Sequence, residues 1–206
     1  MEAKVCGVKD YKTLNYLLNH KYPPKFIGFI CNYPKSKRHL DFKKLEKLIN
    51  FNRKPNINFV SVLVSPKKNF LKKISKLKFD YLQLYDVDPK ETLRIKNDLN
   101  VKIISSITVQ KKQDVMLYKK YKDISEIILF DSKGYEKSLK FNHKFLKDIS
   151  DNITTMLAGD IKYNEKLDKY KKITDIIDLS GSLETNGEKD ISKINIFLKN
   201  ITNLKK

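Results

Sequence analysis

Short apolar runs alternate with polar stretches of helical period along the whole chain. The runs fall at residues 4–8, 26–31, 58–64, 81–85, 101–107, 126–131, 153–158 and 175–179, each five to seven residues long. They are apolar nearly throughout and rich in Val, Ile, Leu and Phe, which suits strands buried on both faces. Behind each run, apolar residues recur three and four positions apart, as Leu14, Leu17 and Leu18 do, and as Phe42, Leu45, Leu48 and Ile49 do. That spacing predicts helices over 10–20, 41–51, 65–77, 89–99, 110–121, 142–150, 164–171 and 190–203. The punctuation agrees. Asp10 is placed to cap the first helix, Pro23-Pro24 end it, and Pro66 stands in the first turn of the third.

A strand-then-helix phrase repeated eight times predicts a parallel sheet covered by helices. Eight units of about 26 residues each predict an α/β chain closed into a single (β/α)8 TIM barrel, one domain over residues 1–206. An open doubly wound sheet would have fewer strands and a Gly-rich turn after the first. Cys6-Gly7-Val8-Lys9-Asp10 contains no such turn.

Composition narrows the class. A 40% hydrophobic content with 11% aromatics builds a sizeable core and excludes global disorder. No apolar run approaches the ~20 residues of a membrane span, and Met1-Glu2-Ala3-Lys4 lacks the basic-then-apolar start of a signal segment. Cys6 and Cys31 do not make a disulfide framework. The expectation is a cytoplasmic protein with reduced thiols and no membrane partner.

The formal charge of +19 points on its face to a polyanion. Yet 40 of the 43 basic residues are lysines, and the arginines are Arg38, Arg53 and Arg94 alone. Base-reading proteins favour the bidentate fork of Arg, and the lysines are spread over almost every helix. A solvated surface without a specific nucleic-acid partner is the expectation, with a non-catalytic polyanion-binding barrel as the outlying alternative. The same charge suits attraction of a small anionic ligand.

In this fold active sites lie at the C-terminal ends of the strands and in the loops beyond. Those places hold Cys6, the loop to Arg38, Gln83 and Tyr85, Asp131, Gly159-Asp160, and Ser180-Gly181-Ser182. Each has a plain reading too: Cys6 as core packing, Arg38 as a surface residue, Asp131 as a helix cap, Ser180–Ser182 as an ordinary turn. An acid closing an apolar strand has its pKa raised by burial and becomes a usable proton donor. Backbone N–H groups at the start of a short helix suit an oxyanion. A thiol, an acid, an arginine and small-residue turns together suit proton transfer on a phosphorylated small molecule. No Cys/His spacing supports a metal site, and no Walker loop, G-x-S-x-G or kinase pattern is present.

Six stretches, in order, resemble one family. Lys4-Val5-Cys6-Gly7 is similar to its K-[IV]-C-G opening. Gly28-Phe29-Ile30 through Ser36-Lys37-Arg38 resembles its G-F-[IV]-F-x-x-x-S-x-R loop, and Leu82-Gln83-Leu84 its V-Q-L-H-G strand. Leu129-Phe130-Asp131-Ser132 resembles L-L-D-[ST], and Leu157-Ala158-Gly159 resembles L-A-G-G-L. Asp178-Leu179-Ser180-Gly181-Ser182-Leu183-Glu184 with Gly187-Glu188-Lys189-Asp190 resembles D-x-S-S-G-[VI]-E…G-x-K-D. The family is phosphoribosylanthranilate isomerase, of tryptophan biosynthesis.

The resemblance implies a cofactor-free Amadori rearrangement of N-(5'-phosphoribosyl)anthranilate, an aldose–ketose isomerisation, by a monomer or homodimer. It implies Asp131 as general acid, Cys6 as general base with a lowered pKa, and Arg38 as the anthranilate carboxylate's partner. Gly159, Asp160, Ser180, Gly181 and Ser182 would hold the phosphate, with Lys4 and Gln83 as further pocket residues. Another sugar-phosphate isomerase on the same barrel is the alternative. The chain departs from the family where G-G-T-G would follow Asp131. It also carries Tyr85-Asp86 for His-Gly, Asp160 for the second Gly of A-G-G, and Ser-Gly-Ser for Ser-Ser-Gly.

Overall fold

The computed structural model describes residues 1–51, 54–132, 141–149 and 152–204. The strands are β1 (Glu2–Cys6), β2 (Phe26–Ile30), β3 (Asn58–Val64), β4 (Tyr81–Tyr85), β5 (Lys102–Val109), β6 (Ile127–Ser132), β7 (Thr154–Leu157) and β8 (Ile176–Leu179). They pair in chain order, all parallel, and β8 pairs back onto β1, so the sheet closes into the expected barrel.

Four connections follow the helical pattern closely: α1 (Tyr11–Asn19), α2 (Phe42–Ile49), α3 (Lys68–Ile74) and α4 (Pro89–Leu99). Asp10, Asp41 and Asp88 cap three of them by accepting the N–H groups of Thr13, Lys44 and Glu91. The later connections are shorter than expected. Residues 110–121 form α5 (Lys112–Val115) and a 3-10 turn over Met116–Lys120; 142–150 and 164–171 form 3-10 turns over His143–Asp148 and Leu167–Tyr170. The reason is geometric. Val115 with Tyr118, and Leu167 with Tyr170, are buried pairs three apart, a spacing that α and 3-10 turns share. After β8 come a 3-10 turn over Gly181–Leu183, the hairpin β9 (Glu184–Thr185) and β10 (Glu188–Lys189), and α6 (Ile191–Asn203).

Side chains alternate along each strand, and the alternation makes two cores. Ile27, Phe29, Phe59, Leu63, Ile103, Phe130 and Ile177 point outward and pack under the helices. Phe26, Val60, Val62, Ile104, Leu129, Met156 and Ile176 point inward and fill the barrel. The inward set also holds an ion pair. Lys4 and Asp178 stand level across the β1–β8 seam, with Nζ 2.5 Å from Oδ2, and the lysine side chain is 0% exposed. Burial opposes both charges and pushes the Asp178 carboxyl up; the carboxylate and the Cys6 thiol beside Lys4 nonetheless hold its ammonium above the ordinary lysine value. We read the pair as ionised.

Two glycines are dictated by close approach. Gly28 stands level with Cys6 in the β1–β2 ladder, and a Cβ there would lie 2.8 Å from the thiol sulfur. Gly7 has φ +75°, a left-handed conformation, and a Cβ there would lie 2.5 Å from Arg38 Cδ.

Breaking one side of the seam pair strands the other charge. Lys4→Met is expected to lose about 3–5 kcal/mol in urea unfolding, and Lys4→Met/Asp178→Leu to recover most of it. Equal stabilities for the two variants would show that the pair is not ionised in the fold.

Candidate active site

The C-terminal ends of the strands open into one cavity of about 350 Å³, within the range of small-molecule sites. Cys6, at the end of β1, and Asp131, near the end of β6, both line it. So do Arg38, Gly159, Asp160, Ser180, Gly181 and Ser182, so eight of the ten expected site residues meet at one mouth. Lys4 and Gln83 do not line it. Strand alternation puts them two residues below Cys6 and Tyr85, fully buried beneath the floor. The expected loop at 133–138 lies outside the described residues.

Asp131 is held from both sides. Its Oδ2 accepts the Tyr85 hydroxyl at 2.8 Å, and its Oδ1 accepts the Ser132 N–H at 2.8 Å. Burial nevertheless raises its pKa to about 6, with the Asp178 carboxylate adding to the rise. This is the shift expected of an acid at the end of an apolar strand.

The Cys6 thiol is shifted as well. Burial pushes the thiol up, outweighing the Lys4 ammonium beside it, and Asp178 adds a second upward push. The thiolate therefore needs a further positive charge in the cavity before it forms near neutral pH. Cys31 lies in the outer core under the helices, with its thiol donating to the Phe29 carbonyl at 3.1 Å, and burial pushes it up to about 12.

Arg38 is not a free arm. Its Nε and Nη2 donate to Glu184 Oε1 and Oε2 at 2.6 and 2.8 Å, a bidentate pair. Lys189 donates to the same Glu184 Oε1 at 2.7 Å and to the Ser180 carbonyl at 3.0 Å. Two cations thus share one carboxylate.

The turns that were expected to grip phosphate are braced by the protein itself. Ser180 Oγ donates to the Cys6 carbonyl at 3.1 Å, and Ser182 Oγ accepts the Tyr163 N–H at 2.7 Å. Asp160 has φ +49°, and its Oδ1 accepts from Lys162 Nζ at 2.8 Å. Asp86 likewise has positive φ, +53°. Both aspartates that stand for glycines of the family pattern therefore occupy left-handed positions, which Asp tolerates better than most residues. The anion beside the expected phosphate is matched by a lysine two residues on. His143 Nε2–H donates to the Gly159 carbonyl at 3.1 Å, with its ring beside Phe141 and Tyr170, and burial keeps its pKa low.

Sequence reasoning assigned no role to Asp178, Glu184, Lys189 or His143. For Asp178 a signal was available: opposite charges at inward positions of the first and last strands are tolerated only as partners. Glu184 and Lys189 lie beyond the barrel, where period-two alternation says nothing.

An eight-stranded parallel barrel whose mouth joins a thiol, a raised carboxyl and an arginine is a protein of the (β/α)8 class. Comparison with known proteins agrees. The family model of N-(5'phosphoribosyl)anthranilate (PRA) isomerase matches residues 3–200. An N-(5'-phosphoribosyl)anthranilate isomerase of Clostridium kluyveri is 29% identical, with both chains covered in full. That of Staphylococcus haemolyticus is 31% identical over 94% of this chain and 95% of its own. The crystal structure of phosphoribosyl anthranilate isomerase from Thermotoga maritima superposes with a TM-score of 0.86 at 21% identity, over 98% of this chain and 99% of that one. The chain belongs to the N-(5'-phosphoribosyl)anthranilate isomerase family, a family of enzymes.

The two thiols report the site's electrostatics. Because a raised pKa delays the thiolate, iodoacetamide labelling of Cys6 is expected to climb steadily through pH 9 without a plateau below it. Cys31 is expected to stay unlabelled throughout that range. Peptide mass spectrometry reads both, and a Cys6 plateau near pH 7 would contradict the raised thiol.

Proposed function

We propose that this chain, as one barrel domain over residues 1–206, isomerises N-(5'-phosphoribosyl)anthranilate in tryptophan biosynthesis. Asp131 and Cys6 are the acid and the base. The observation that carries the reading is that residues 125 positions apart line one cavity together with an arginine and two braced small-residue turns.

The substrate's charges fit the mouth. The anthranilate carboxylate meets Arg38, and Glu184 keeps the guanidinium from swinging away. The phosphate takes the turns at Gly159-Asp160 and Ser180–Ser182, using backbone N–H groups, with Lys162 balancing Asp160. A solved relative binds reduced 1-(o-carboxyphenylamino)-1-deoxyribulose 5-phosphate, an anthranilate-bearing sugar phosphate, which supports this class of ligand.

Catalysis needs two proton movements. Asp131 gives its proton to the furanose ring oxygen, the C1'–O bond breaks, and the nitrogen lone pair forms a cationic iminium. With its pKa raised to about 6, Asp131 carries that proton in a larger share of molecules near neutral pH than an ordinary aspartate does. The iminium adds a positive charge beside the Cys6 thiol. It lowers the thiol's pKa and acidifies C2'–H in the same event. Cys6 takes the C2' proton, the electrons form the C1'=C2' bond, and the enolamine tautomerises to the 2-ketone. The protons are redistributed within one molecule, so the steps use no cofactor.

Turnover is followed by the loss of the substrate's anthranilate fluorescence. Cys6→Ala and Asp131→Asn are each expected to lower kcat at least about 10²-fold. Arg38→Ala is expected to act mainly by raising KM. Near-wild-type turnover of both single variants would remove the role assignment, and an Arg38→Ala variant with unchanged KM would favour a substrate without the carboxylate.

A further inference from the structure

Beneath Asp131 lies a polar chain for which the two proton transfers have no use as they stand. Gln83 and Tyr85 both point inward from β4, and Gln83 Nε2 donates to the Tyr85 oxygen at 3.2 Å. Tyr85 in turn donates to Asp131 Oδ2 at 2.8 Å. Both side chains are buried in the barrel. Among the described residues the second atom of the amide, Gln83 Oε1, is buried and has no hydrogen-bond partner. An orphaned buried acceptor costs stability, so its retention asks for a reason.

The reason follows from what Asp131 must do. When the carboxylate is charged it needs donors, and the chain supplies them: amide N–H to phenol oxygen, phenol O–H to Oδ2. When the proton sits on Oδ2, the Tyr85 proton faces another O–H and the contact turns unfavourable. The phenol oxygen can instead accept the Oδ2 proton, provided that its own hydrogen finds another acceptor. Half a turn of the Gln83 amide brings Oε1 to that place, since the two ends of an amide are nearly the same shape.

We propose that Gln83 and Tyr85 form a hydrogen-bond chain of reversible polarity, which positions the Asp131 carboxyl and keeps it satisfied in both its charged and its protonated form. The orphaned Oε1 is the half of the device that idles while Asp131 is ionised. Tyr85 and Gln83 are positioning residues and act only through Asp131. Tyr85 stands where the family pattern has histidine. A phenol suits the task because its single proton can point either way at neutral pH, its own pKa being driven well up by burial and by Asp131. The other charged groups facing Asp131 are Asp178 from β8 and Lys4 from β1. Its register partner on β5 is Thr108, and the β7 end presents Ala158, neither of which titrates.

The inference rests on Asp131 as the acid, but its test does not depend on turnover. In the full chain labelled with 13C at aspartate carboxyls, Asp131 is assigned by its loss in Asp131→Asn. Its signal is expected to titrate near pH 6 in the parent and about one pH unit higher in Tyr85→Phe, because a donor to the charged form is gone. The Gln83 side-chain amide resonance is expected to move with the same midpoint in the parent and to stay fixed in Tyr85→Phe. The same upward shift in the limb of the kcat/KM profile that reports Asp131, with KM little changed, marks positioning rather than packing. An unmoved Asp131 midpoint in Tyr85→Phe, or a Gln83 amide that stays flat while Asp131 titrates, overturns the proposal. Loss of activity in the parent with both titrations intact would strike the isomerase reading and leave the chain of polarity standing.

Discussion

The seam between the first and last strands is held by one buried ion pair, and much of the molecule depends on it. Lys4 and Asp178 face each other inside the barrel, level in the β1–β8 register. A lone charge at either position would be intolerable in that interior, and the two together fix which residue meets which across the closure. A slip of β8 by one residue would turn Asp178 toward the helices and Leu179 inward, leaving Lys4 buried without its carboxylate. The same pair stands directly below Cys6, so the closure of the fold also sets the electrostatic floor of the site.

That floor explains the resting state of the cavity. Desolvation holds Asp131 partly protonated and holds Cys6 as a thiol. In the proposed reaction, the donor's own step creates the charge that switches on the acceptor. On that proposal, the order of the two steps comes from burial, a property of the sheet.

Much of this was legible in the chain. Eight buried strands and the inward or outward sense of each residue follow from apolar runs and period-two alternation. The residues at the strand ends could therefore be named, Cys6, Asp131 and Ser180 among them. Helix length after β5 to β7 could not be read, because buried pairs such as Leu167 and Tyr170 satisfy both kinds of turn. The Arg38–Glu184–Lys189 cluster joins segments 146 residues apart outside the sheet, and no local period encodes it. The direction of the Cys6 shift depends on the balance of burial against Lys4 and Asp178, which requires the packing to be known.

The β1–β8 pairing has a temporal consequence. The two charges of the seam are 174 positions apart, so a growing chain carries Lys4 for on the order of 10–30 s before the ribosome delivers its carboxylate. During that interval the first strands have no partner to close against, and their inward charge favours staying wet over collapsing. The seam, and with it the full lining of the cavity, forms only when synthesis is nearly over.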